Sequence, residues 1–282
     1  MTSLHALSTG SRMATGHFTG SVHSVFGRAC NITLDGGGML TLLAAEFGNV
    51  PHGARLDTPP GFAFDRVLCT GDRVGCRGGV ARFAKAGLEV CLSGARRWHA
   101  ELDQLAVDLG LPRVAAAWQL TQLVMELNAR DHAQGGLNLP HARRKALPDA
   151  VGALRSHASR TAVVRLVGCG PGLTPAGDDL LVGFLAGLRA SAGNCASRQA
   201  FLAELSATVR GAATGTNAIS RAYLEHASDG AFAEPLANLA RCIAEGVEAR
   251  HVEAAAGMAL AVGATSGTDG VRGLLSAMAC WN

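Results

Sequence analysis

The chain has 282 residues, 48% hydrophobic and 17% charged, with 25 Lys+Arg against 22 Asp+Glu for a formal charge of +3. Aromatics are only 5% and tyrosine occurs once, so neither a basic face nor a stacking platform for nucleic acid is expected. The longest apolar runs, 180–188 and 254–264, fall short of the ~20 residues that span a bilayer.

At the N-terminus, residues 1–10 show no positive segment followed by an apolar core, so no secretory leader is expected. Short β-type segments follow at 20–26, 39–43, 62–64, 66–69, 80–83 and 88–92, separated by turns at Asp35–Gly38, Pro59–Gly61 and Gly71-Asp72. They predict a β-rich N-terminal domain over 1–97, either a small antiparallel sheet or a barrel. From 98 to 282 the texture is that of a larger α-rich domain, and the fold class is α+β. Leu102, Leu105, Ala106 and Leu109 recur at helical spacing, and 115–127 continues the pattern. Residues 131–148, with the short basic cluster His141 to Lys145, read as a solvated loop or linker. The apolar β-branched run 161–167 predicts one strand or an extended lead. Helices are predicted at 174–191, 198–210, 217–227, 234–261 (interrupted) and 268–280. The eight cysteines show no Cys-x2-Cys pair, which favours reduced thiols in a cytoplasmic protein over disulfides or a zinc site.

The most informative stretch runs from Gly168 to Asp179, Gly-Cys-Gly-Pro-Gly-Leu-Thr-Pro-Ala-Gly-Asp-Asp. Thr174 is expected to cap a helix with Pro175 in its first turn. Alternate glycines 168, 170 and 172 just upstream would let backbone donors approach an anion at that helix start. A tight turn that needs glycine for close packing would use the same residues. On the helix, Leu181, Phe184, Leu185 and Leu188 form one face, while Asp179, Gly183, Ala186, Gly187 and Ala190 form a small one. With no solvated face the helix is expected to be buried. Two adjacent acids there, Asp178 and Asp179, suit a cation, a substrate amine or amide, or proton transfer.

A second passage repeats the design: Gly177-x-Asp179-x3-Gly183-Phe-Leu185 aligns with Gly267-x-Asp269-x3-Gly273-Leu-Leu275. The two helices are expected to cross through Gly183, Gly187, Gly273 and Ala277. Asp179 and Asp269 would then share a cleft, with at least one acid holding its proton or a Mg²⁺-like ion between them. Thr216 and Ser220, at i and i+4, would form its third wall. Asn217 and Arg221 beside them suit a carboxylate or phosphate, though an ordinary cap with a surface arginine would look the same.

Together, Gly168 to Asp179, Thr216 to Ser220 and Ser266 to Asp269, with Gly20 to Phe26 and Asn31-Ile32 upstream, resemble the AllH-type subunit of oxamate carbamoyltransferase. The resemblance spans nearly the whole chain. It implies a cytoplasmic subunit that works with other carbamoyltransferase subunits on small anions, interconverting oxamate plus carbamoyl phosphate with oxalurate plus phosphate. Asp179, Asp178 and Asp269 are then candidates for catalysis. Gly170, Gly172, Leu173, Thr174, Gly177, Thr216, Asn217, Ser220, Arg221, Ser266 and Gly267 are candidates for binding, with no dedicated metal site. Cys169 and His226 depart from the family pattern, which favours aliphatic or small residues there. A non-catalytic assembly subunit, or an enzyme acting on another acyl phosphate or a nucleotide, would keep the same site residues.

Overall fold

The β-segments close on themselves. The computed structural model describes residues 2–134, 152, 154 and 159–281, which group into two compact units, 1–100 and 101–282. In the first unit the strands are β1 (Thr2–Gly10), β2 (Phe18–Val25), β3 (Ala29–Leu34), β4 (Met39–Ala44), β5 (Gly53–Asp57), β6 (Arg73–Arg77), β7 (Val80–Phe83), β8 (Leu88–Cys91) and β9 (Arg96–Trp98). The order β5-β4-β3-β2-β6-β7-β8-β1 is closed by antiparallel β1–β5 pairing, giving an eight-stranded barrel. β9 lies parallel to the end of β1, Ser8 opposite Arg96. Alternate residues point inward: Cys30, Ile32 and Leu34 from β3, Leu40 and Leu42 from β4, Ala54 and Leu56 from β5, Leu88 and Val90 from β8.

The run 62–69, read as two strands, instead forms a 3-10 turn at Phe64–Arg66. The turn carries Phe64 and Leu68 into the barrel core. Its alternation of apolar residues is real, but burial from one turn satisfies it as well as a strand would. β1, β3, β5, β6 and β9 were not predicted: β1, β5, β6 and β9 are polar or glycine-rich, and β3 entered only through its Asn31-Ile32 motif.

The second unit contains α1 (Pro112–Gln134), α2 (Ser159–Leu166), α3 (Ala176–Ala192), α4 (Ala196–Ala212), α5 (Ala218–Ser228), α6 (Glu234–Glu245), α7 (Ala249–Leu260) and α8 (Ser266–Met278). Gly246, at φ +58°, is the left-handed cap that divides the predicted 234–261 helix into α6 and α7. Two expectations are overturned. Residues 102–107 are not helical but an irregular strap: Leu102 N–H bonds to Gly230 O, Val107 N–H bonds to Ala190 O, and both side chains are buried. The run 161–167 falls mainly in a helix, α2, because its buried residues Ser159, Ala162, Val163 and Leu166 have helical rather than alternating spacing. Of the predicted 131–148 loop, residues 131–134 belong to α1; the rest, with the basic cluster, lies outside the described residues.

α3 is the axis of this unit. Phe184, Leu181 and Leu188 are fully buried, each worth about 1.5–3 kcal/mol of apolar burial. Its other face meets α8 backbone to backbone. A Cβ on Gly183 would lie 1.8 Å from Gly270 O, and one on Gly187 2.3 Å from Leu274 O. One on Gly273 would lie 2.2 Å from Leu180 O. The predicted crossing through Gly183, Gly187, Gly273 and Ala277 is thus present. Trp118 Nε1 donates to Leu275 O at 3.1 Å and pins α1 to the same pair.

Candidate functional site

The crossing brings the N-termini of α3 and α8 together. Each starts with a glycine pressed onto the end of the preceding helix: a Cβ on Gly177 would sit 2.1 Å from Leu166 O of α2, and one on Gly267 2.3 Å from Ala259 O of α7. Side chains any larger would push the helix starts off their supports. Asp179 N–H bonds to Pro175 O and Asp269 N–H to Thr265 O, four residues back in both cases. The sequence repeat is therefore a structural repeat, with one acid at the head of each helix.

Upstream of α3, Gly168, Gly170 and Gly172 have φ of +71°, +134° and +92°, a region L-residues rarely adopt. Gly170 also presses on the helix start, where a Cβ would come 2.6 Å from Ala176 N. Thr174 does not cap α3 as expected. Pro175 holds the cap position, and the Thr174 hydroxyl bonds to the Ser266 hydroxyl at 2.6 Å. That bond links the two helix heads directly, which neither motif shows alone.

The adjacent acids take different surroundings. Asp178 is buried, with Oδ1 accepting from Gly168 N–H at 2.8 Å and Oδ2 from the Thr216 hydroxyl at 2.6 Å. Burial raises its pKa, while the bonds from Thr216, Gly168 and Ser220 hold the rise back. Asp178 thus latches the glycine loop to α5. Ser220 donates to Leu173 O at 3.3 Å and reinforces the latch. The Thr216 and Ser220 hydroxyls therefore serve Asp178 and the loop rather than forming a wall for Asp179 and Asp269.

Asp179 is half-buried, but its Oδ2 is shut away from water with no hydrogen-bond partner. Burial pushes the carboxyl up to about 8, and the charges of Asp269 and Asp178 push in the same direction. Hydrogen bonds from Ser266 and Thr174 pull it back only in part. Asp269 is buried as well and is raised to about 6, but Arg272 lies 2.9 Å from its Oδ1 and opposes the rise. A cation therefore already stands beside one acid of the pair.

Asn217 is the cap of α5, its Oδ1 accepting from Ile219 and Ser220 N–H. Arg221 is exposed and donates to Glu225 at 2.7 Å. These two follow the ordinary cap-and-surface alternative. Leu173 and Gly172 are exposed on the loop. Among the described residues no group of three or more His, Cys, Asp or Glu is placed to hold a metal ion, and no helix is long and apolar enough to cross a membrane. One residue beside the acids was not among the sequence candidates: Arg272, detectable as the i+3 partner of Asp269.

Two family models cover most of the chain. The model described as the AllH family N-terminal domain matches residues 4–97, the barrel. The model described as oxamate carbamoyltransferase subunit AllH matches residues 166–278, from the end of α2 through α8. The protein is accordingly a carbamoyltransferase subunit. It belongs to the AllH family, as the motifs of the glycine loop and the two helix heads suggested. No solved structure matches the chain at a significant level.

Proposed function

We propose that the glycine loop and the heads of α3 and α8 form a substrate site for carbamoyl transfer between carbamoyl phosphate and oxamate, with Asp179 as the proton-transfer group. The observation that carries this reading is the buried, unpartnered Oδ2 of Asp179 where the two helix heads meet. In the forward direction the oxamate amide nitrogen attacks the carbamoyl carbon. A C–N bond forms, the C–O bond to phosphate breaks, and the nitrogen's proton passes to the Asp179 carboxylate. In phosphorolysis of oxalurate the same proton returns to the departing nitrogen. A carboxyl raised to about 8 sits close to the operating pH, where acid and base forms are both accessible. Backbone donors at the helix heads suit the phosphate and the developing oxyanion.

Asp178 positions the loop and does not exchange the proton, because both its oxygens are engaged. What separates the two acids is read as a proton on Asp179 rather than a Mg²⁺ ion, since Asp269 already has Arg272. The family is one of subunits, so the assay is run on the chain mixed with its partner subunits. Asp179→Asn should assemble normally and lose about 10²–10⁴-fold in oxalurate phosphorolysis. Undiminished activity in that variant would leave Asp179 a structural acid.

A further inference from the structure

Toward the other end of α3 from the acids lies a cavity of about 360 Å³, at the small end of the range for pockets that hold small molecules. Gln199, Leu202, Ser206 and Arg210 line it from one face of α4, and Arg189 of α3 and Gln104 of the strap also line it. Arg189 stands ten residues after Asp179 on the same helix, about 15 Å along its axis. It is half-buried, and its guanidinium lies against the backbone at Gly230, where a Cβ would come 2.6 Å from Cζ. Its Nε donates to Leu102 O, while its Nη groups have no hydrogen bond or ion pair among the described residues. Burial disfavours its charge, and Asp103 and Glu101 in the neighbourhood support it. The groups around it are donors as well. Arg210 gives Nη2 to Asp229 and has no second partner among the described residues. Gln199 gives its amide to Gln104 Oε1 at 3.1 Å and to Gly193 O at 2.8 Å, so Gln104 keeps its own NH2 to donate. Among the described residues no carboxylate lines the cavity.

We infer that this cavity binds a small oxyanion, a phosphate or a carboxylate on a short carbon body, held by the Arg189 and Arg210 guanidiniums. Guanidinium groups meet such anions through paired N–H donors, and a half-buried charge with no opposite charge bonded to it is costly until one arrives. Gln104 and Ser206 add neutral donors, and Leu202 gives the carbon body an apolar contact. The site is separate from the helix heads and does not rest on the carbamoyl-transfer reading. Arg189 also holds Leu102 O, and Arg210 holds Asp229 at the end of α5. The ligand would therefore tie the strap, α3, α4 and the end of α5 together. Occupation should slow hydrogen exchange at Leu102 N–H, which bonds to Gly230 O.

The test reads the two arginines themselves. The full-length chain carrying ¹⁵N-labelled arginine is titrated with sodium phosphate or sodium propionate, with sodium chloride holding the ionic strength constant. The Arg189 and Arg210 Nε–H signals are identified by their loss in Arg189→Lys and Arg210→Lys; should the first variant not fold, the Arg210 signal carries the titration. Both signals should move together and saturate with one Kd of about 1 mM or below, and Leu102 N–H exchange should slow in step. Arg210→Gln removes an exposed guanidinium and should weaken binding read at Arg189 by about 10-fold or more. Ser206→Asp places a carboxylate among the donors and should abolish the response, whichever way Arg210→Gln behaves. Shifts that follow chloride equally, that do not saturate with either oxyanion, or that persist unchanged in both variants overturn the inference. Phosphate is also expected at the helix heads, so the response at the arginines should be the same in Asp179→Asn; dependence on Asp179 counts against a separate site. The tighter of the two oxyanions identifies the head group.

Discussion

The heads of α3 and α8 share a sequence design and differ in what stands on the turn after the acid. Both begin with a buried glycine, place an acid two residues later and cross through further glycines. Three residues after Asp269 comes Arg272, whereas three residues after Asp179 comes Val182. The arginine neutralises its acid at 2.9 Å, and the valine leaves Asp179 to be pushed up by burial and by its acidic neighbours. A repeated scaffold thus sets where the carboxyls stand, while burial, the neighbouring acids and the presence or lack of an arginine on the next turn together raise Asp179 further than Asp269.

The scaffold half of this comparison is the easiest to break. Gly183→Val would drive a side chain into Gly270 O and should cost about 3–5 kcal/mol, read as a fall in urea midpoint; a loss below about 1 kcal/mol would mean the helices do not cross as described. The latch comes next. Asp178→Ala leaves Gly168 N–H and the Thr216 hydroxyl without their acceptor and should cost about 1–3 kcal/mol, with faster hydrogen exchange at Gly168.

The chemical half is sharpened by pH. The folded protein binds the Asp179 proton more tightly than the unfolded chain, whose carboxylates titrate near ~3.9. The stability this contributes is complete below that value and is lost as pH rises through about 8. Asp179→Asn, which keeps the uncharged form, should therefore exceed the parent in Tm by a margin that widens from pH 5 to 8 and is level above. A margin independent of pH would show that Asp179 is ionised throughout. Arg272→Met should raise the Asp269 carboxyl above its value of about 6, at a stability cost of about 1–2 kcal/mol read as a fall in urea midpoint. The smallest effect belongs to Arg221→Ala, whose exposed pair with Glu225 should change stability by less than about 0.5 kcal/mol.

The small-residue faces were legible in sequence because only close backbone contact explains glycines at 183, 187 and 273 on buried helices. The two helix heads could be read from their repeat for the same reason. The partition between Asp178 and Asp179 could not. Adjacent residues on a helix differ by 100° in direction, and which neighbour each meets depends on α5 and α8, far away in sequence. The Thr174–Ser266 bond is likewise a tertiary contact, and it overrode the local preference of threonine for capping. Leu102 to Leu109 misled because helical spacing over eight residues is also met by a strap that buries Leu102 and Val107 between turns.

The barrel closes through β1, which pairs with β5 at Thr9–Ala54 and with β8 at Thr2–Leu88. The first strand of the chain thus finds its neighbours only after some fifty and some ninety residues have been made. Closure is a long-range event, with the loop entropy and slow kinetics that such pairings carry. Until it happens, β5 and β8 each expose a row of unpaired amides and carbonyls, the kind of edge that recruits strands from other molecules. Removing or crowding β1 would therefore show itself first as aggregation during synthesis, well before any change at the helix heads.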